Sequence, residues 1–259
     1  MTAEFTGKGS PLSQNGLDTA LHQLGCDKES LWALVTVETS GFGFLPDRRP
    51  KILYERHIFH QLTKGAYDDV PDLSSVMRGG YFGGAAEYDR LARAMNLDAD
   101  AALESVSWGL GQIMGFNAAS LGYSGARDMI AQFQQGEDAQ LDGIVRFLKT
   151  TPALRAAFLA KAWKTVAFYY NGSDYAKKEY DAKLAYSYDL YQQHGCPDVG
   201  IRAAQACLAY LGYDPHGVDG LRGKHTLAAL NAFQAANGMP ASAAIDQAGI
   251  DAVLLAAGV

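Results

Sequence analysis

Two glutamates between residues 31 and 57 have the surroundings that acid–base chemistry needs. Glu38 continues a stripe of aliphatic residues spaced as on one helix face, formed by Leu31, Leu34 and Val35. Gly41 offers a helix C-cap, which predicts that Glu38 lies in the last turn. Burial on an apolar stripe and the negative end of a helix dipole both raise the pKa of a carboxyl, and a raised pKa suits a general acid.

The second glutamate, Glu55, lies in a short apolar segment (residues 51–56, KILYER) that follows Pro50 and is typical of a strand. In a strand, Leu53, Glu55 and His57 share one face. Two carboxyl groups that flank one cleft are what glycoside hydrolysis requires. The pattern alone leaves a structural alternative equally open, in which Glu38 is a solvated helix-end residue and Glu55 pairs with a neighbouring arginine.

Composition narrows the classes of protein and partner. The chain has 259 residues, of which 48% are hydrophobic and 19% charged, and this indicates a globular protein of one large domain, or of one medium and one small domain. Its net charge of −6 argues against nucleic acid as a partner, because phosphate binding relies on clustered lysine and arginine. The charge argues against a cationic, membrane-active protein, and no apolar run approaches the roughly 20 residues that span a bilayer, so we expect no direct membrane insertion.

The N-terminal sequence MTAEFTGKGSPLSQNG lacks the basic and then apolar pattern of a signal peptide, so we expect synthesis in the cytosol and release by another factor. Glu55, His57 and His60 resemble a metal site, but the ligand set is incomplete, and we expect neither metal nor cofactor. The three cysteines form no disulfide framework and predict reduced thiols: Cys26, Cys196 and Cys207.

Hydrophobic periodicity predicts a mainly helical chain with a small β element. A first helix stops at Gly25, Asp27 caps the helix that ends near Glu38, and residues 126–191 are helical nearly throughout. The glycine-rich segment 65–84 is predicted to be irregular, and a loop of that length is usually functional or mobile. A linker at residues 194–197 precedes three short alanine-rich helices, which predicts domains at 1–195 and 196–259.

The first domain carries motifs that resemble the phage-endolysin N-acetylmuramidase family. VETSGFGF followed by RPKILYERHIF has that family's Val-Glu, glycine-rich and Glu-Arg-His elements in order. The resemblance implies a lysozyme-like α domain in which Glu38 and Glu55 are the catalytic pair, with His57 hydrogen-bonding near the cleft.

Two further elements complete the resemblance. SWGLGQIMGFN, residues 107–117, is similar to the family's signature and to the cleft-lining motif of goose-type lysozymes and lytic transglycosylases. This implies that Trp108 and Gln112 bind the saccharide. The sequence Tyr-Asn-Gly that begins at Tyr170 resembles another cleft element of those folds and implies that Tyr170 and Asn171 also bind substrate.

The tail resembles the peptidoglycan-binding three-helix module through its Asp-Gly-x-x-Gly-x-x-Thr…Phe-Gln pattern, carried by Asp219, Gly220, Gly223, Thr226 and Phe233. Local chemistry explains the pattern as a tight Asp-Gly turn, a threonine that caps the next helix and an aromatic residue on its inner face. We therefore expect structural roles for the aspartate and the threonine, and no catalytic residue in the tail. We also expect a separable affinity module, so that a chain ending near Gly195 folds and cleaves.

The resemblance implies hydrolysis of the β-1,4 bond between N-acetylmuramic acid and N-acetylglucosamine in bacterial peptidoglycan, leading to lysis of the host cell. We expect a monomer that is made in the host cytoplasm, acts in the periplasm and depends on a separate membrane-pore protein. Three alternatives stay open. They are a lytic transglycosylase that uses one glutamate and releases a 1,6-anhydro product, a non-enzymatic wall-binding protein, and a chitinase-like enzyme on a related scaffold.

Overall fold

The fold is mainly helical with one small sheet, as predicted. The computed structural model describes residues 2–172, 176 and 179–259. Within these ranges the α-helices are α1 Gln14–Leu24, α2 Lys28–Thr39, α3 Arg56–Leu62, α4 Ala86–Met95, α5 Ala99–Glu104, α6 Ala126–Phe133, α7 Glu137–Thr150, α8 Pro152–Leu159, α9 Trp163–Asn171, α10 Tyr180–His194, α11 Val199–Tyr210, α12 Lys224–Ala236 and α13 Gln247–Ala257. The strands are β1 Ile52–Tyr54, β2 Val106–Trp108 and β3 Ile113–Met114, and short 3₁₀ helices occupy Thr2–Phe5, Gly115–Asn117 and Ala119–Leu121. None of the described helices is long and apolar enough to cross a membrane.

The chain divides into two compact units, and the first contains Gly43–Gly143 together with the N-terminal residues up to Gly9. Its three strands form one antiparallel sheet in the order β1-β2-β3. Ile52 pairs with Trp108, and Trp108 pairs in turn with Ile113 across the β2-β3 hairpin. α4 packs on β1 and on α5, so a helical layer covers the small sheet.

The predicted strand around Glu55 is shorter than expected. β1 ends at Tyr54, and Glu55 is the N-cap residue of α3. His57 is therefore helical, and the prediction that Leu53, Glu55 and His57 share one strand face is wrong. The reason is local, since the carbonyl of Glu55 already accepts the backbone N–H groups of Ile58 and Phe59 and so begins the helix.

The second unit contains Ser10–Phe42 and Ile144–Val259. α2 packs along α10, and the Thr36 hydroxyl lies 2.7 Å from that of Tyr191. Asp27 caps α2 by accepting the backbone N–H of Ser30, as predicted. The helix ends one residue earlier than expected, because Ser40 and not Gly41 is its C-cap, in the left-handed conformation.

The last three helices have a hydrophobic core of their own. It contains residues from each helix, including Ile201 and Leu208 of α11, Phe233 of α12 and Val253 of α13. The predicted boundary near residue 195 falls between α10 and α11. It stays a prediction, because the compact units group these three helices with α1, α2 and α8–α10.

Candidate active site

The backbone of Glu55 is fixed at the junction of a strand and a helix. Its N–H donates to the carbonyl of Ser105 at 2.9 Å, just before β2, while its own carbonyl begins α3. These hydrogen bonds on both sides of the residue hold the backbone from which its side chain projects. That side chain is mostly buried, with 16% of its surface exposed.

Two side chains hold the Glu55 carboxylate. The hydroxyl of Tyr81 donates to Oε1 at 2.9 Å, and Nδ1 of His57 lies 3.1 Å from Oε2. The His57 contact has the distance of an ion pair, although its angle is not that of a hydrogen bond. The structure thus brings Glu55 and His57 together as expected, and it adds Tyr81, which the sequence analysis did not single out.

The balance of effects on Glu55 favours the ionised carboxylate. Burial acts to raise its pKa, but the contacts with His57 and Tyr81 and the positive charge of Arg78 together outweigh burial, so the pKa is lowered. A carboxyl with a lowered pKa is ionised at neutral pH. It can therefore serve as a base, a nucleophile or a negative charge, but it is a poor proton donor.

The loop that carries Tyr81 is fastened by the arginine next to Glu55. The guanidinium of Arg56 donates to three carbonyls of the loop, those of Pro71, Met77 and Arg78. Gly80, with a φ of +75°, passes so close to Arg56 that a Cβ there would lie 3.1 Å from its guanidinium carbon. The motif Glu-Arg-His therefore supplies a carboxylate, a clamp for the loop and a partner for the carboxylate.

A buried ion pair holds the other end of the same loop. Glu87 Oε1 accepts the backbone N–H groups of Phe82 and Gly83 at 2.6 and 2.9 Å. Its other oxygen lies 3.4 Å from Arg90, and Arg90 donates to the carbonyl of Asp72 at 2.7 Å. Both side chains are fully buried, so the irregular segment predicted at 65–84 is a fixed platform. The glycine-rich composition of residues 65–84 was the only feature of the sequence that indicated a function for this segment.

Gln112 lies in the hairpin at residues 107–114, and its side chain forms hydrogen bonds with neighbouring residues. Its Oε1 accepts the Ser107 hydroxyl at 2.8 Å, and its Nε2 donates to the carbonyls of Gly109 at 2.9 Å and Lys51 at 3.4 Å. Gln112 also has a φ of +48°, which is uncommon for a residue with a side chain. One acceptor of the amide lies in the hairpin and the other just before β1, so Gln112 joins the two segments, and its contact with sugar stays a prediction.

Trp108 lies beneath the surface of the hairpin. Its side chain is fully buried, and its indole N–H donates to the carbonyl of Leu103 at 3.2 Å. Its ring packs against Phe5 and Tyr88. The structure therefore contradicts the predicted contact with substrate, because the apolar ring is used to build the core that supports the hairpin.

Two buried polar residues at the start of α7 shape the glycine-rich loops. Glu137 accepts the backbone N–H of Gly43 at 2.9 Å, and Gln140 accepts that of Leu110 at 2.7 Å. A Cβ at Gly43 would lie 2.0 Å from the Gln140 oxygen, and one at Gly109 would lie 2.6 Å from its carboxamide carbon. Both glycines are needed for this close approach, which the sequence analysis did not assign.

In the second unit, Glu38 lies in the last turn of α2 as predicted and is half-buried. It is near Tyr170, whose pKa is raised by burial and by the negative charge of Glu38. The Tyr170 ring packs edge-on against Phe147 with their centroids 5.0 Å apart. Glu38 and Tyr170, which were both predicted to lie at the cleft, are thus close to each other, whereas the side chain of Asn171 lies outside the described residues.

Gln205 organises the signature residues of the C-terminal helices. Its Nε2 donates to Asp219 Oδ1 at 2.8 Å and to Thr226 Oγ1 at 2.9 Å, and its Oε1 accepts the N–H of Gly220 at 2.8 Å. The predicted cap at Thr226 is wrong, because α12 starts after Gly223 and Thr226 is buried inside the helix, turned toward Gln205.

The other residues of the tail pattern build the same structure. Gly220 lies so close to the start of α11 that a Cβ there would meet Pro197 at 2.7 Å, and Phe233 is buried in the module core. These contacts give Asp219, Gly220, Thr226 and Phe233 structural roles. Contact of the wall with Asp219, Gly220, Gly223, Thr226 and Phe233 stays a prediction.

No cluster of three or more histidine, cysteine, aspartate or glutamate side chains suited to a metal ion occurs in the part of the chain that the structure describes. His60, which the sequence placed near Glu55, is paired instead with Asp68 at 2.9 Å. The groups that contact the Glu55 carboxylate are the imidazole of His57 and the phenol of Tyr81.

Comparisons with known proteins cover nearly the whole chain. A profile of the N-acetylmuramidase family matches residues 27–192, and a profile of a peptidoglycan binding domain matches residues 198–252. No curated protein matches the chain. Among solved structures it is similar to the Burkholderia AP3 phage endolysin, at 40% identity over 71% of each chain and with a TM-score of 0.64.

Proposed function

Because the chain belongs to the N-acetylmuramidase family, we propose that Glu38 and Glu55 are the carboxyl groups with which it cleaves peptidoglycan. The protein is a glycoside hydrolase of the phage-endolysin type, and peptidoglycan is its partner. The bond it cleaves is the β-1,4 linkage between N-acetylmuramic acid and N-acetylglucosamine, as the family's name implies.

Glu55 is assigned the role that an ionised carboxylate can fill. The single observation that carries this assignment is its contact with both Tyr81 and His57, which lowers its pKa. An ionised Glu55 can activate water, stabilise the oxocarbenium-like transition state or attack the sugar directly. A lytic transglycosylase, which uses one glutamate as its acid, would not need a second carboxyl group that is kept ionised by its neighbours.

Glu38 is assigned the complementary role of general acid. It lies in the last turn of α2, near the negative end of the helix dipole, which favours a neutral carboxyl group over a carboxylate. In the proposed reaction Glu38 gives its proton to the glycosidic oxygen as the bond breaks. A carboxyl separation of about 6.5–9.5 Å would give inversion of the anomeric carbon, and one of about 5 Å would give retention.

Mass spectrometry of the products separates hydrolysis from the transglycosylase alternative. Digestion of purified sacculi is expected to give reducing muropeptides that contain one added water. Products lighter by one water would instead be 1,6-anhydro sugars and would remove the proposed role of Glu55. An unchanged turbidity of sacculi would favour the non-enzymatic alternative, and faster cleavage of chitin than of peptidoglycan would favour the chitinase-like one.

For the substrate contacts, we keep Tyr170, Asn171, His57 and Gln112 as candidates. The biological setting is also a proposal: a monomer made in the cytoplasm of a bacterial host, which acts on the wall in the periplasm after a separate protein has opened the membrane. Similarity to a phage endolysin supports this setting. Expression in bacteria with and without a pore-forming protein tests it, since lysis is expected only with the pore.

A further inference from the structure

We infer that Arg202 in the C-terminal helices is a positioning residue for Glu38. It fixes the end of α2 and, through that helix end, the carboxyl group. The inference rests on the proposed role of Glu38 as the general acid. It gives the last three helices of the chain a role in catalysis in addition to wall binding.

The contacts of Arg202 reach the segment that follows Glu38. Its side chain is fully buried on α11. Nε donates to the carbonyl of Gly41 at 2.8 Å, and Nη2 donates to the same oxygen. The guanidinium also lies over the rings of Trp32, 5.5 Å away within α2, and Phe42, 5.7 Å away just after it.

Arg202 bonds to the turn that follows the C-cap of α2. The chain reverses there through two successive residues in the left-handed conformation, Ser40 at φ 56° and Gly41 at φ 81°. Ser40 closes the helix by donating its N–H to Thr36. Phe42 donates its N–H to Thr39 only at 3.5 Å, whereas Arg202 donates at 2.8 Å to the carbonyl of Gly41, two residues beyond the end of α2. Loss of Arg202 is therefore expected to loosen the segment that follows the last turn of α2, and Glu38 lies in that turn.

The C-terminal helices hold Arg202 firmly. Asp198 caps α11 by accepting the N–H of Ile201 at 2.9 Å, and the rest of the helix lies in the module core. The same region meets the end of α2 at two further points. Tyr210 packs on Phe42 with ring centroids 6.0 Å apart, and a Cβ at Gly41 would lie 3.3 Å from the carbonyl of Val218.

If the last three helices served only to tether the enzyme to the wall, they would not need a buried arginine in contact with α2 and the turn that follows it. Burying a charged group costs free energy unless its N–H groups find acceptors, so an exposed arginine would be the less costly arrangement. Two hydrogen bonds to one carbonyl and two aromatic faces offset that cost only when α11 is seated on α2. These contacts imply that a chain ending near Gly195, which we expect to fold and cleave, cleaves more slowly even when wall binding is not required.

The test measures steady-state kinetics of the full-length protein on soluble peptidoglycan fragments, which do not require wall binding. Arg202→Met keeps the length of the side chain and removes its donors. We expect kcat to fall about 10- to 100-fold with little change in KM, since small displacements of a catalytic group have effects of that size. Arg202→Lys should recover part of the loss, because an ammonium keeps the charge but lacks the two-pronged geometry.

Lys224→Met is the matched control, because Lys224 is an exposed cationic residue of the same module, at the start of α12. This variant should keep the wild-type kcat. Pelleting with sacculi should be unchanged in both variants. The double variant Glu38→Gln/Arg202→Met should be no slower than Glu38→Gln alone, since residues that act through one another are not additive.

Amide hydrogen exchange at Thr36–Gly41 separates this inference from the proposed function. Faster exchange there in Arg202→Met supports positioning of the helix end, even if Glu38→Gln proves active and the catalytic assignment fails. An unchanged kcat with unchanged exchange would overturn the inference, as would a loss confined to KM. If the methionine variant does not fold, the lysine variant decides by the same two measurements.

Discussion

The carboxylate of Glu55 is held by side chains from residues 57 and 81, whereas the helix end that follows Glu38 is held by Arg202, 161 residues beyond its partner Gly41. The first arrangement is local and polar. It sets the protonation of a carboxyl through a hydroxyl and an imidazole. The second arrangement is long-range, and in it the buried guanidinium of Arg202 positions the end of α2. The two glutamates therefore depend on different parts of the chain, and mutations can separate them.

This difference predicts two kinds of failure. Changes around Glu55 should alter the pH dependence of the reaction, because its neighbours act on its pKa. Changes around α11 should alter kcat at every pH, because they displace a helix end. The four experiments below test this comparison in order of expected effect.

Removal of the proposed acid should have the largest effect. Glu38→Gln keeps the shape of the side chain but has no proton to give, and general acid catalysis contributes about 10²–10⁴-fold. We expect at least that loss of kcat on soluble fragments, with normal binding to sacculi. Glu29→Gln, which removes a carboxylate from the first turn of the same helix, is the control for charge. Near-normal turnover of Glu38→Gln would end the catalytic assignment.

The next largest effect is expected from Glu55→Gln. An amide can neither activate water nor stabilise positive charge on the sugar, so we expect a loss of about 10²-fold or more, as for other acid–base groups. Glu4→Gln removes an exposed carboxylate from the same unit and should have no effect. A fully active Glu55→Gln enzyme that releases anhydro products would establish the transglycosylase mechanism instead.

Truncation after Gly195 should have an intermediate effect. It removes Arg202 and Tyr210, and with them the contacts that hold Gly41 and Phe42. We expect kcat on soluble fragments to fall about 10- to 100-fold, the size of a positional effect. A separate loss of affinity for sacculi should add to it, because the binding module is gone. A wild-type kcat of the truncated enzyme on soluble fragments would show that the C-terminal helices serve only to bind the wall.

The comparison also explains what the sequence could predict. The helix start at Asp27 and the helix end at Gly25 are confirmed, because caps act within a few residues. The strand predicted for Glu55 is wrong, because Glu55 is the N-cap residue of α3, and its catalytic role stays a prediction. A three-residue strand followed at once by a helix leaves too short a pattern to distinguish from a longer strand.

No feature of the sequence indicated which residues form hydrogen bonds with distant parts of the chain. Arg202 and Gln205 lie in an alanine-rich helix and read as ordinary surface residues, yet both are buried and bonded to distant loops. Trp108 was assigned to the substrate because of its motif, whereas burial gives it a structural role. A motif identifies residues that a fold requires, but only the three-dimensional contacts tell whether each one faces a ligand or supports its neighbours.

The smallest effect on rate is expected from Tyr81→Phe, which removes only the hydroxyl that donates to Glu55. That hydrogen bond stabilises the ionised carboxylate and lowers its pKa, so its loss raises the pKa. A smaller fraction of Glu55 is then ionised in acid, and the acidic limb of the rate profile moves to higher pH. The basic limb, which reports the general acid, should not move. At neutral pH the rate should stay within about tenfold of wild type, a barrier change below about 1.4 kcal/mol.

Tyr67→Phe is the matched control, since Tyr67 belongs to the same loop but donates to the carbonyl of Leu97. Its acidic limb should coincide with that of the wild type. Arg202→Met should likewise lower the rate at all pH values without moving that limb, because Arg202 acts on the place of Glu38 and not on the charge of Glu55. If Tyr81→Phe lowers the rate uniformly and leaves the acidic limb in place, Tyr81 serves only to hold the loop, and Glu55 owes its ionised state to His57 and Arg78.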